Sequence, residues 1–398
     1  MKKILYVLMA VYCLAACDLD ELPKSEVSKE PVFGSEAGLE LYSNSFYDIL
    51  PDASSASHGD KITDYTVQKS VPDFLREGAY GPQQHDEWDT KHWKELRKIN
   101  YFIENCVSEE ISESVKNHYI GLARFFRAWF YFDKVKMYGD VPWIDKALDV
   151  DDPALYGPRD PRTLVMDNVL ADLDFAANNI TLMSDGTSSQ ITKYVVLAFK
   201  SRVCLFEGTF RKYHTKYNLS GTADTWLNEA VKAAQEVMTD GGFSINKAGD
   251  QPYRNLFISN AAISSEVILA AVCDQELAVL NDANWYWTSA TYGDRANLPR
   301  NFIHTYLMLD GTPFTNIPGY ETMQFFDETQ NRDKRLAQTI RTPGYQRIDG
   351  GTIVAAPLYF PIHIPDTNLL NFVWMICIMM EVSEILILFL LSVMQKFY

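Results

Sequence analysis

The chain has 398 residues, of which 47% are hydrophobic, 22% charged and 13% aromatic, with 20 Gly and 17 Pro. That is the composition of a folded protein with ample core, and it excludes collagen-like, low-complexity and disordered classes. The formal net charge is −16 with no basic face in view, which excludes a nucleic-acid partner.

Residues 1–17 read MKKILYVLMAVYCLAAC. Lys2 and Lys3 precede an apolar run from Ile4 to Leu14 that is too short to span a bilayer comfortably, so 1–16 is read as a signal peptide. A polar tether over 17–30 follows. Helical spacing then begins at 34–50 with Ser35 as N-cap, and 51–59 (PDASSASHG) reads as a loop. In 93–106, Trp93, Leu96, Ile99 or Asn100, and Ile103 share one stripe. A longer helix over 113–138 is stopped by Gly139 and Pro142. Further helices are expected over 163–179, with Leu164, Val169, Leu173 and Ala176 inward, over 192–213 and over 223–239. Small residues such as Gly121, Ala123, Ala198 and Ala234 stand where helices approach closely. Paired helices with short connections suggest a tetratricopeptide-like stack. The expected fold is thus mainly α, with a helical region over 31–242. Beyond Gly242 the character changes to a loop-rich region with short strands over 243–360. There, 266–272 (EVILAAV) is a β-like run, and 277–301 shows little periodicity.

Six stretches resemble the SusD/RagB family of outer-membrane nutrient-binding lipoproteins, in the family's order. They are ARFFRAWFYFDKVKMYGDVPWID (123–145), RDPRTLVMDNVLADLDFAANNI (159–180), QITKYVVLAFKSRVCLFEGTF (190–210), SSEVILAAVCD (264–274), DGTPF (310–314) and NRDKRLAQTIRTPG (331–344). In the last of these Lys334 stands where the family usually has Pro. In the physical reading, Arg124 and Arg127 on a helix rich in Phe and Trp need a buried ion pair or a ring to stack on, with Asp172 and Asp174 as candidate partners. Arg124, Arg127, Tyr138, Gly139 and Pro142 are accordingly read as structural. Leu14-Ala15-Ala16-Cys17 resembles a bacterial lipobox, in which Cys17 becomes the acylated first residue. Each acyl CH2 buried in the bilayer adds about 0.8 kcal/mol to such an anchor. Asp18, Asp20 and Glu21 resemble the surface-export signal of Bacteroidetes lipoproteins.

The resemblance fades over 361–398. Shifting the phase of the final SVMQKFY by one base allows Arg-Tyr-Ala-Glu-Val-Leu-Leu, which resembles a family helix. The same phase over 364–372 allows Thr-Gly-Tyr-x-Pro-x-Lys-Phe. One frameshift near 357–361 accounts for both, so 361–398 is expected to be out of frame and the family's last helices missing. An intact frame on resequencing would overturn this.

No catalytic pattern emerges. The 52 Asp and Glu offer no spacing that singles out a glycosidase pair, and HExxH, GxSxG, P-loop and GxGxxG motifs are absent. The six Cys contain no CxxC pair, so neither a zinc ribbon nor a dense disulfide framework is indicated. Cys204 reads as core; Cys106 and Cys273 read as core or, in an exported protein, as a disulfide. His85 and His92, beside Asp86, Glu87 and Asp89, read as a solvated polar loop rather than a metal site, and no cofactor is expected. The positive signal is aromatic. Trp and Tyr rings lie flat on the C–H faces of sugars while Asn, Asp or Arg satisfy the hydroxyls. Trp285, Tyr286, Trp287 and Tyr292 supply this mix with Asn281, Asn284, Asp294 and Arg295; Tyr80 and Trp88, near Gln83, Gln84 and Asp86, supply a second. Core or partner-interface rings are the alternative. Trp93 and Trp129 are expected in the core. The resemblance implies a lipid-anchored outer-membrane protein that captures an oligosaccharide and passes it to a SusC-like TonB-dependent transporter. A RagB-like peptide binder, a non-functional truncated remnant and a glycoside hydrolase are the rivals.

Overall fold

Ser35 precedes Glu36 in extended conformation, and its hydroxyl accepts from the Gly38 N–H, which starts a helix where the sequence places one. The computed structural model describes residues 29–58, 66–67, 76–78, 81, 88–288, 298–349 and 352–355. The signal peptide, Cys17 and the 361–398 tail lie outside them. In chain order the helices are α1 (Glu30–Phe33), α2 (Glu36–Asn44), α3 (Ala53–His58), α4 (Thr90–Asn105), α5 (Glu113–Tyr138), α6 (Arg162–Asn179), α7 (Lys193–Tyr213) and α8 (Ala223–Asp240). After them come α9 (Pro252–Ile258), α10 (Ala283–Thr288) and α11 (Arg300–Thr305), with β1 (Gln346–Asp349) antiparallel to β2 (Thr352–Ala355).

The sequence reading holds for the long helices to within a few residues. Ser112 and Thr192 cap α5 and α7 through hydroxyls that accept from Val115 and Val195. Asp89 caps α4 through the His92 N–H. Gly139 ends α5 with φ of 71°, a conformation that costs any residue with a Cβ, and an added Cβ would meet nothing within 4 Å. The glycine is therefore there for its backbone freedom rather than for space. Gly121 is the opposite case: a Cβ there would lie 3.1 Å from Ile180 Cγ1, where α5 and the end of α6 press together.

α5 is buried around most of its circumference, with Phe125, Phe126, Trp129 and Tyr131 all inside. It packs against α4 and α6, α6 packs against α7, and α7 against α8. Trp129 stacks on Phe199 of α7 with centroids 4.5 Å apart, which bears out its placement in the core. The helix-pair stack is as expected, but its links are not uniformly short, since α5 and α6 are joined by 139–161. That segment is laced down by side chains. Asn100 Nδ2 donates to the Ile144 carbonyl, Arg97 Nε to that of Leu148, and the Tyr131 hydroxyl accepts from the Ile144 N–H.

Four expectations need correction. Within 51–59 the chain forms α3, because the Asp52 carboxylate accepts from the Ser55 N–H and opens a helical turn. Leu164 is 42% exposed, because it lies off the stripe that Val165, Val169, Leu173 and Ala176 bury. The apolar run 266–272 is not a strand, although 266–270 is buried. Its backbone is satisfied by a loop instead: Ala270 N–H donates to the Ser188 carbonyl, and Ser188 Oγ to that of Val267, both at 2.7 Å. Within 277–301, expected to be irregular, residues 283–288 form α10.

Candidate functional site

Asp172 on α6 has both oxygens occupied. Arg124 Nε donates at 2.6 Å, and Arg127 donates through Nε at 2.7 Å and through a terminal nitrogen at 2.8 Å. Burial alone would ease the proton off Arg127, but the bonds from Asp172 outweigh it and raise the guanidinium above its ordinary value. Arg124 also sits over the Phe175 ring and Arg127 near that of Trp143. The hallmark arginines therefore fasten α5 to α6. Asp174, the other candidate partner, holds Lys200 instead, together with Glu229 of α8. A third cluster, which the sequence reading missed, centres on Glu207. It accepts from Arg162 at 2.6 and 2.9 Å and from Arg211 at 2.8 Å, entirely inside the protein.

The aromatic candidates divide by position. Trp88 precedes α4 and is 37% exposed. Its ring packs edge-on against Trp93 at 5.1 Å and Tyr138 at 4.8 Å, with the Arg159 guanidinium 5.1 Å from its centroid. Tyr138, read as structural, is thus the floor under this indole. Trp285 lies on α10 and is 51% exposed. Its neighbour Tyr286 is not open: the His58 ring stacks on it with centroids 3.6 Å apart and planes 22° from parallel. His58 Nε2 meets Asp282 Oδ1 at 2.9 Å. Ala283, fully buried, seats α10 against Leu298, Ile303, Leu336 and Ile340. Asn281 is not a free polar group either, because its Oδ1 accepts from the Ala283 N–H and its Nδ2 donates to Cys273 Sγ. Tyr80, Tyr292, Arg295 and Asp294 lie outside the described residues, as do Gln83, Gln84 and Asp86, and the Trp287 and Asn284 side chains are likewise not described. His58 and Asp282 were missed because the fold alone unites them.

Titratable chemistry is sparse around these rings. Cys106, Cys204 and Cys273 are free thiols. Burial pushes Cys106 up to about 11 and Cys204 higher still, so neither offers a thiolate at neutral pH. His92 Nδ1 pairs with Asp89 at 2.7 Å as part of the α4 cap. Among the described residues no three His, Cys, Asp or Glu gather as a metal site. The same residues contain no helix long and apolar enough to cross a membrane.

Comparison with known proteins points to one family. The SusD-like family model described as "Starch-binding associating with outer membrane" matches residues 35–197. SusD-like protein P38 of Formosa agariphila is 29% identical over 232 residues, covering 56% of this chain and 44% of that protein. Residues 35–197, most of the helical region, thus resemble the SusD-like family. A crystal structure of a SusD-like protein from Bacteroides fragilis superposes with a TM-score of 0.67 at 21% identity, covering 93% of this chain and 77% of that one. A SusD-like carbohydrate-binding protein of the same species superposes at 0.61 with 20% identity, covering 79% and 61%. These likenesses establish the SusD-like fold. The matched stretch spans less than half the length of the SusD-like relative from Formosa.

Proposed function

We propose that this SusD-like protein captures an oligosaccharide at the outer membrane and presents it to a SusC-like TonB-dependent transporter. Trp285 carries the reading. A half-exposed indole on a six-residue helix presents a flat apolar face to solvent, and that face suits the C–H face of a pyranose. The α10 helix is seated on a small core and clamped by His58, so the ring is held in place before binding and loses little freedom on contact. Trp88, Trp287, Tyr80, Tyr292 and Arg295 are proposed to extend this surface. The His58–Asp282 pair beside these rings is engaged in stacking on Tyr286 and holding α10, and binding rather than cleavage is the proposed role. Trp285→Ala is expected to cut retention in gels cast with soluble polysaccharides at least about tenfold, since aromatic contacts dominate such surfaces. Retention equal to wild type on every polysaccharide that binds would remove α10 from the site.

Anchoring through Cys17 completes the proposal. Fatty-acid labelling of cells should mark the wild-type chain and leave Cys17→Ser unmarked, with the variant released from the membrane fraction. Equal labelling of both would refute the anchor.

A further inference from the structure

A cleft of about 310 Å3 opens among the helices, between α2, the α5 face bearing His118 and Tyr119, and the 182–191 connector. None of the residues that resemble a ligand surface lies in it. Its wall is set firmly. Asp185 accepts from the N–H groups of Thr187, Ser189 and Gln190 and from the Thr187 hydroxyl. Burial alone would raise this carboxyl, but these four donors hold it down at about 2, so the connector keeps its shape across the neutral range. Tyr47 ties the other side, its hydroxyl accepting from the Ile191 N–H at 3.0 Å.

The hydrogen-bonding roles inside follow from those ties. Since the Tyr47 oxygen is already accepting, its own proton is left to donate. His118 Nδ1 accepts from the Thr181 N–H at 3.1 Å, which places the ring proton on Nε2. Burial holds His118 below the ordinary histidine value, so this neutral tautomer is the form at neutral pH. The cleft thus has hydroxyl and imidazole donors, the mixed amides of Asn44 and Gln190, the Glu40 carboxylate as acceptor, and the Tyr47 and Tyr119 rings. No Lys or Arg is among its lining residues.

We infer that this cleft is a second ligand site, for a single neutral sugar unit. The lining combines donors, acceptors and two ring faces, the mix that a pyranose with equatorial hydroxyls requires. With Glu40 at the mouth and no cation in the lining, a phosphate or an acidic sugar would be repelled. A purely apolar guest would strand the Tyr47 and His118 protons. The volume lies at the small end of the range for such sites. This site does not rest on the α10 surface, and a glycan long enough to reach both would be held with avidity.

The test is saturation-transfer NMR on the whole protein with glucose, galactose, mannose, xylose and N-acetylglucosamine, and with N-acetylneuraminate as the acidic probe. Gln190→Trp plugs the mouth from an exposed position, leaving the core and the Asp185 turn untouched, and Asn44→Trp does so from the opposite rim. Support is a transfer signal from at least one neutral sugar that weakens about tenfold or more in both variants, the loss expected when a hydrogen-bonded pocket closes, yet persists in Trp285→Ala. The inference is overturned if no neutral sugar gives a signal, or if the signal survives both plugs. It is equally overturned if N-acetylneuraminate binds as well as the neutral sugars. A signal lost only in Trp285→Ala would overturn it as well, while supporting the α10 surface.

Discussion

Asp172→Asn is expected to lower the unfolding free energy by about 3–5 kcal/mol, because it leaves the buried Arg127 and the partly buried Arg124 without their shared anion. The amide matches the carboxylate in size, so no cavity confuses the result. Its NH2 would face guanidinium donors, turning at least one of the present contacts at 2.6–2.8 Å from attraction to repulsion. At roughly 2–4 °C per kcal/mol for a domain of 150–250 residues, thermal unfolding should shift down by about 10 °C. Arg124→Met is the informative contrast. Arg124 is partly exposed and Arg127 still covers Asp172, so that loss should stay near about 1 kcal/mol. Equal effects from the two substitutions in urea or thermal melts would refute the network as described.

Glu207→Gln should cost a comparable amount, about 3–5 kcal/mol, and for a harsher geometric reason. Glu207 is fully buried, and its two oxygens serve different helices: one takes Arg162 at the start of α6, the other Arg211 at the end of α7. Each arginine also rests on a ring, Arg162 3.6 Å from the Phe210 centroid and Arg211 4.8 Å from that of Trp226 in α8. Losing the carboxylate therefore loosens three helices together. Replacing all three charges at once, with Met at 162 and 211 and Leu at 207, should recover most of the loss, since a packed apolar trio carries no desolvation penalty. A triple variant as unstable as Glu207→Gln would show that packing, not charge, dominates this corner.

The long helices were legible because their signals are local. Apolar spacing, a Ser or Thr before the first turn and a glycine after the last are all written within one segment. The 266–272 run misled for the converse reason. Its β-branched, apolar residues describe a buried segment, but whether such a segment joins a sheet depends on what offers hydrogen bonds nearby, and here that is the Ser188 loop. Charge partners were half legible. Arg124 and Arg127 announce a need for an anion, yet only the fold chooses Asp172 and gives Asp174 to Lys200. Glu207 carried a readable signal, a lone carboxylate in the apolar surroundings VCLFEGTF (203–210), and was overlooked because a single acidic residue on a helix is usually solvated. The candidate site was legible in residue type only. Trp88 and Trp285 reach the surface as their types suggest, whereas Tyr286 is stacked beneath His58 and Asn281 is spent on capping α10.

The clamp between His58 and Asp282 bridges 224 positions of the chain. A growing polypeptide emerges at about 5–20 residues per second, so α3 must wait roughly 10–45 s for its acidic mate to be synthesised. The neighbouring pairs α5–α6 and α7–α8 have no such delay and can assemble while translation continues. Closing so long a loop yields nothing until both ends are present. The aromatic platform therefore matures after the helical stack, and a chain halted before Asp282 would carry that stack with no clamp to hold α3.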